Sequence, residues 1–154
     1  MEIIITNGHD PRFAEMCRAL DRYLNDLVGG EQQRKQYVQY NSPQAVTDVF
    51  LLLDDEQTAA CAGFKRFNHS TAEVKRVFTK SVYRGHGCAR MLMAALEARA
   101  RAKGYTQLIL ETGSMMRPAI SFYTALGFQR IENYAQYRDM PDSVCFAKQL
   151  TVNA

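Results

Sequence analysis

The chain opens on a β-branched run, Ile3-Ile4-Ile5-Thr6, ended by Asn7-Gly8, which predicts a first strand. Asp10-Pro11 then supplies a helix N-cap and a proline at the first helical position. Phe13, Met16, Cys17, Leu20, Leu24 and Leu27 follow at helical spacing, so this helix is expected to bury one face until Gly29-Gly30 stops it. The polar stretch 31–45, with Tyr37, Tyr40 and Pro43, leaves room for a short second helix before an irregular loop.

Three strand signals come next. Val46 to Leu53, Thr58 to Phe67 and Thr71 to Thr79 are separated by the turns Asp54-Asp55-Glu56-Gln57 and Asn68-His69-Ser70, an antiparallel meander. Helical spacing resumes after Arg84-Gly85-His86-Gly87. Its apolar stripe is Cys88, Met91, Leu92, Ala95 and Ala98 or Arg99, closed by Lys103-Gly104. Thr106 to Glu111 reads as a strand, Pro118 to Leu126 as a helix, Phe128 onward as a strand and Val144 to Lys148 as the last one. With no internal repeat, low-complexity tract or linker, the order predicts one α/β domain over residues 1–154, built on one mixed sheet.

Composition narrows the function. With 154 residues, 47% hydrophobic and 23% charged, the chain has the makeup of an ordinary globule. It can bury roughly 70% of its unfolded surface without disulfides or metal. No apolar run reaches the roughly 20 residues of a membrane span, and MEIIITNGHD has neither the basic start nor the cleavage site of a signal peptide. A cytoplasmic protein with no membrane partner is expected. Cys17, Cys61, Cys88 and Cys145 form no CxxC, and His9, His69 and His86 no metal-ligand cluster, so reduced thiols and no metal are expected. The net charge of +3 is too small for a dedicated nucleic-acid binder, but it is unevenly placed. Residues 1–77 hold 9 basic and 11 acidic side chains, and residues 78–154 hold 10 and 5. The second half therefore favours an anionic partner.

The most informative segment is Val77-Phe78-Thr79-Lys80-Ser81-Val82-Tyr83-Arg84-Gly85-His86-Gly87-Cys88-Ala89, where a strand runs through a glycine turn into a long helix. Small residues let backbone approach a ligand, and the first amides of a helix lack internal partners at the positive end of its dipole. Together they make a pyrophosphate cradle. A tight turn with no ligand fits the glycines equally well. The P-loop pattern is absent. The dinucleotide fingerprint needs a small residue where Arg90 stands and a parallel βαβ setting rather than a meander.

Arg84, Gly87 and Ala89 match R-x-x-G-x-G/A, and Ala119-Ile120-Ser121-Phe122-Tyr123-Thr124-Ala125-Leu126-Gly127-Phe128 matches A-I-x-(F/L)-Y-x-x-x-G-F. In this order and at this distance the two blocks resemble the GCN5-related N-acetyltransferase (GNAT) superfamily. Ala72-Glu73-Val74-Lys75-Arg76-Val77-Phe78 looks like its central strand, and the resemblance is strong from about residue 72 to 131. One departure is Met115-Met116-Arg117-Pro118, which stands where members often carry an asparagine. These methionines read as core or cofactor-adjacent filling.

The resemblance implies a strongly twisted mixed sheet with helices on both faces, and acetyl-CoA as co-substrate between splayed central strands. It implies that backbone groups of Val77, Phe78 and Thr79 meet the pantetheine arm. Arg84, Gly85, His86, Gly87, Cys88 and Ala89 would hold the pyrophosphate, mainly through amides. The implied reaction is direct attack of a primary amine on the thioester. Such an amine is protonated at neutral pH and needs a base. Glu73 is the candidate base, against a solvated or ion-paired residue beside Lys75. Tyr123 is the candidate acid for the departing thiolate, against simple packing beside Phe122. A backbone amide near Phe78 is the natural donor to the oxyanion. Cys88 is expected to face the core and His86 the solvent, neither with a catalytic role.

The acceptor, a small molecule, amino acid or peptide amine, is expected to be shaped by residues 24–42 and 133–142. Gln32, Gln33, Gln36, Tyr37, Tyr40, Tyr134 and Tyr137 make that wall polar and aromatic. A CoA-binding regulatory domain without turnover and a weak anion or nucleic-acid module are the alternatives, and a homodimer is left open.

Overall fold

In the first helix the chain follows its own punctuation. The computed structural model describes residues 1–30 and 42–151. Strand β1 (Glu2–Thr6) leads to helix α1 (Pro11–Val28), where the Asp10 carboxylate accepts from the Arg12 amide and Gly29, at φ 91°, closes the far end. The stretch expected to hold a short helix lies outside the described residues as far as 41, and beyond it Pro43–Ala45 makes one 3-10 turn. Then come β2 (Asp48–Asp54), β3 (Gln57–Arg66) and β4 (Thr71–Thr79). Helix α2 (Cys88–Ala102), β5 (Gln107–Gly113), α3 (Arg117–Ala125), β6 (Gln129–Ile131) and β7 (Ser143–Gln149) complete the order.

The seven strands form one mixed sheet in the order β1-β2-β3-β4-β5-β7-β6. Pairs β1–β2, β2–β3, β5–β7 and β6–β7 are antiparallel, and β4–β5 is parallel. The parallel register runs from Thr71↔Gln107 to Glu73↔Ile109, although β4 continues to Thr79 and β5 to Gly113. This is the α/β class with a mixed sheet that the sequence predicts.

The chain divides into two compact units, Met1–Lys65 with Val74–Arg99, and Arg66–Glu73 with Ala100–Ala154. In the first, Phe13, Met16, Cys17 and Leu20 of α1 pack with Val46, Val49, Leu51, Cys61 and Phe78. Each large side chain so buried contributes about 1.5–3 kcal/mol of gross stabilisation. The predicted stripe of α1 ends early, for Leu27 is 47% exposed. In α2 the stripe is shifted. Cys88, Leu92, Met93, Leu96 and Ala100 are buried, whereas Met91 is 41% exposed. The run Met91-Leu92-Met93-Ala94-Ala95-Leu96 is apolar all round, so periodicity alone could not choose its inner face.

Mid-strand, Arg76 takes φ 59°, a left-handed conformation uncommon for a residue other than glycine. Three contacts hold it. Its carbonyl accepts from the Cys61 thiol at 3.1 Å, and its Nη2 donates to the Cys17 carbonyl at 2.8 Å and pairs with Asp21 at 2.9 Å. Burial, and next the nearby Cys17, push the Cys61 thiol far up, so it is a neutral donor.

In the second unit Leu108, Ile109 and Leu110 of β5 and Val144, Cys145, Phe146 and Ala147 of β7 are buried without alternation, as for strands covered on both faces. The register sets Glu111 opposite Cys145, and Glu73 opposite Ile109. Between β6 and β7 the chain is gathered by one side chain. Asn133 Nδ2 lies 3.1 Å from the Tyr137 carbonyl, 3.1 Å from that of Met140 and 3.0 Å from that of Ser143.

Candidate active site

The glycine turn belongs to the first unit. After β4, Ser81–Tyr83 makes a 3-10 turn, fixed where the Tyr83 hydroxyl donates to Asp54 Oδ2 at 2.8 Å. That carboxylate raises the Tyr83 pKa, which keeps the phenol a donor. Gly85 and Gly87 then take φ 82° and 77°, where a side chain would be strained. A Cβ built on either would meet nothing within 4 Å, so positive φ, not crowding, demands glycine here. The Gly87 carbonyl accepts from the Met91 amide at 3.0 Å, which makes it the cap of α2. The amides of Cys88, Ala89 and Arg90 fall in the first turn and have no intrahelical acceptor. Arg84, Gly85, His86 and Gly87 are all exposed at this helix start. An exposed, positively polarised turn with open space above two glycines fits a pyrophosphate.

Cys88 is 2% exposed, its sulfur 3.6 Å from the Tyr83 carbonyl. Its thiol therefore faces inward as expected, leaving only its amide for a ligand. Upstream, Val77 and Thr79 are half-buried and Phe78 lies in the core. Arg84 folds back along this strand. Its Nε donates to the Thr79 carbonyl at 3.1 Å, and its guanidinium lies over the rings of Tyr23 and Phe78 at 4.6 and 5.7 Å.

Glu73 and Tyr123 belong to the second unit. Glu73 is 3% exposed, which excludes the solvated alternative. The Tyr134 hydroxyl donates to its Oε2 at 2.6 Å, the short distance of a bond to a carboxylate. Burial first, and the Glu73 charge second, drive the Tyr134 pKa far up, so this phenol stays a donor. Tyr137 is raised for the same first reason, with Glu111 as the next cause. Burial pushes the Cys145 thiol up to about 11. Glu111 accepts from the Ser143 hydroxyl at 2.6 Å.

Tyr123 is 7% exposed, with Phe122 and Phe128 edge-on at 5.2 and 5.6 Å. The aromatic packing expected of it is present. Met115 is 63% exposed on the turn ahead of α3, which excludes the core filling and leaves the cofactor-adjacent one of the two expected for it.

The sequence alone places Tyr134 only in a loop expected to border the acceptor. Its bond to Glu73 links positions 61 residues apart, and no local pattern signals it. The positive φ of Arg76 is equally silent, since an arginine inside a β-branched strand gives no hint of it. Among the described residues, no three His, Cys, Asp or Glu side chains are grouped to hold a metal ion. No helix among them is long and apolar enough to cross a membrane.

Residues 14–128 match the family described as Acetyltransferase (GNAT) family. The chain is 32% identical over 99 residues to an uncharacterized N-acetyltransferase, YsnE, of Bacillus subtilis, covering 63% of this chain and 66% of that protein. It is 31% identical over 139 residues to an IAA acetyltransferase of Azospirillum brasilense, covering 88% of this chain and 89% of that one. Among solved structures, a candidate acyl-CoA N-acyltransferase of Klebsiella pneumoniae superposes with a TM-score of 0.79 at 28% identity, over 97% of each chain. PaiA N-acetyltransferase of Thermoplasma acidophilum, solved with coenzyme A, has a TM-score of 0.73 at 17% identity, over 97% of this chain and 99% of that one. By its two sequence blocks, its sheet order and these likenesses, the chain belongs to the acetyltransferase (GNAT) family of acetyl-CoA-dependent acyltransferases.

Proposed function

We propose that residues 1–154 form one N-acetyltransferase domain. It would transfer the acetyl group of acetyl-CoA to a primary amine of a small molecule, amino acid or peptide by direct attack in a ternary complex. The observation that carries this reading is the exposed Arg84-Gly85-His86-Gly87 turn at the head of α2, in a chain of the GNAT family. Backbone groups of Val77, Phe78 and Thr79 would meet the pantetheine arm. The amides from Gly85 to Ala89, with Arg84, would hold the pyrophosphate. Acetyl-CoA supplies the acetyl thioester.

In the proposed chemistry Glu73 accepts a proton from the ammonium form of the acceptor, directly or through water, and frees the nitrogen lone pair. That nitrogen bonds to the acetyl carbon, the carbon–sulfur bond breaks, and the Tyr123 hydroxyl gives its proton to the departing sulfur; the nitrogen then releases its second proton to water, from which the Tyr123 phenolate regains its own. A backbone amide near Phe78 is the proposed donor to the carbonyl oxygen as its charge develops. All four cysteines are free and buried, which suits the reducing cytoplasm we propose as its location.

Binding of acetyl-CoA by calorimetry, followed by a panel of primary amines, amino acids and peptide amino termini assayed for release of CoA thiol, tests this reading. Saturable binding with thiol release is the expected result. Binding with no release from any acceptor would leave a CoA-binding regulatory domain, and no binding at all would defeat the proposal.

A further inference from the structure

The base proposed above is a buried carboxylate, and a buried carboxylate needs hydrogen-bond donors to keep its charge and direction. One donor is Tyr134, at 2.6 Å from Glu73 Oε2. Its own ring is held edge-on by Phe67 at 5.3 Å and by Tyr137 at 5.5 Å, so the hydroxyl has little freedom to swing away. The backbone is constrained on both sides. Asn133 gathers the Tyr137, Met140 and Ser143 carbonyls, and Ala135 sits at φ 48°, a conformation a non-glycine residue keeps only when its surroundings impose it. The same segment ends on Ser143, which donates to Glu111 at 2.6 Å. One short stretch thus supplies hydroxyl donors to two carboxylates, on β4 and β5.

We infer that Tyr134 is a positioning residue for Glu73, a phenol that fixes one carboxylate oxygen while the 133–143 segment holds the phenol. The inference rests on the proposal that Glu73 is the base, but it makes a claim of its own about the hydrogen bond. Tyr134 does not exchange a proton with the acceptor. It sets where the carboxylate points and which of its oxygens is committed.

Tyr134→Phe keeps the ring and its edge contacts while removing the hydroxyl. In the thiol-release assay, with the most active acceptor of the amine panel, we expect kcat to fall about tenfold with the KM for acetyl-CoA unchanged, a loss in line with one hydrogen bond to a charged group. In a Glu73→Gln background the same substitution should cost nothing further, because there is no carboxylate left to direct. A second measurement needs no acceptor. With glutamate carrying carbon-13 at the side-chain carboxyl, the Glu73 signal is identified by its loss in Glu73→Gln, and at pH 8 it should move in Tyr134→Phe. If that signal stays in place, the positioning role is overturned whatever the kinetics show. If it moves while Glu73→Gln retains full turnover, the hydrogen bond stands and the catalytic reading of Glu73 falls. Additive losses in the double variant would also overturn the inference.

Discussion

The guanidinium of Arg84 lies 4.6 Å from the centroid of the Tyr23 ring, and its Nε donates to the Thr79 carbonyl. The cation is thus stacked on α1 and anchored to the end of β4 at the mouth of the glycine turn. A planar, permanently charged group can do both at once, and an ammonium cannot. Arg84→Ala is expected to raise the KM for acetyl-CoA about tenfold, the size of one charge-assisted contact. Arg84→Lys should recover only part of that loss, since charge returns without the stacked plane. Steady-state kinetics with varied acetyl-CoA checks both, and an unchanged KM in Arg84→Ala would remove this residue from cofactor binding.

Glu73→Gln keeps the size of the side chain and its ability to accept from Tyr134. General-base assistance is typically worth about 10² to 10⁴ in rate, so kcat at neutral pH should fall by at least about 100-fold and the pH–rate profile should change. Tyr123→Phe should lower kcat by about tenfold or more if chemistry limits turnover, while it keeps the ring contacts with Phe122 and Phe128. Single-turnover rates separate the chemical step from product release. Full activity in Tyr123→Phe under those conditions would reduce Tyr123 to packing.

Gly87 caps α2 at φ 77° with open space around the position of a Cβ. Gly87→Ala should therefore cost stability through backbone strain, about 1–2 kcal/mol, and not through a clash. It should also place a methyl group over the proposed pyrophosphate cradle and weaken acetyl-CoA binding. Thermal unfolding and calorimetric titration measure the two effects apart. An intact affinity would place the cradle elsewhere.

The cap of α1 predicts a pH effect remote from catalysis. The Asp10 pKa is lowered from 3.8 to about 2, chiefly by its hydrogen bond with the Arg12 side chain. A folded-state value below the unfolded one means that the cap stabilises fully above the unfolded value, and that this contribution is lost as the pH falls toward about 2. Asp10→Asn keeps an oxygen for capping but does not titrate. Its stability should thus depend less on pH between about 4 and 2 than that of the parent chain, as followed by urea unfolding at each pH.

Much of the fold was readable because local chemistry and tertiary structure agree. Asp10-Pro11 and Gly29 bracket α1, and the glycine turn opens α2. Reading failed where local signals were degenerate or absent. Leu27 has helical spacing but stands beyond the reach of the core, and the apolar run of α2 left its rotation open by about one residue. Half of the candidate site follows from contiguous residues, because a phosphate cradle is made of backbone in sequence order. The other half depends on β4, β5 and the segment before β7 being brought together, and the Tyr134–Glu73 pair is invisible until they are.

The Asn133 side chain has two amide hydrogens and three carbonyl neighbours, drawn from Tyr137, Met140 and Ser143. Those carbonyls reach one point only while the number of residues between them is fixed. The segment should then accept changes of side chain far more readily than insertions or deletions. Among close homologues, substitutions between Asn133 and Ser143 should therefore fall on a stretch of constant length.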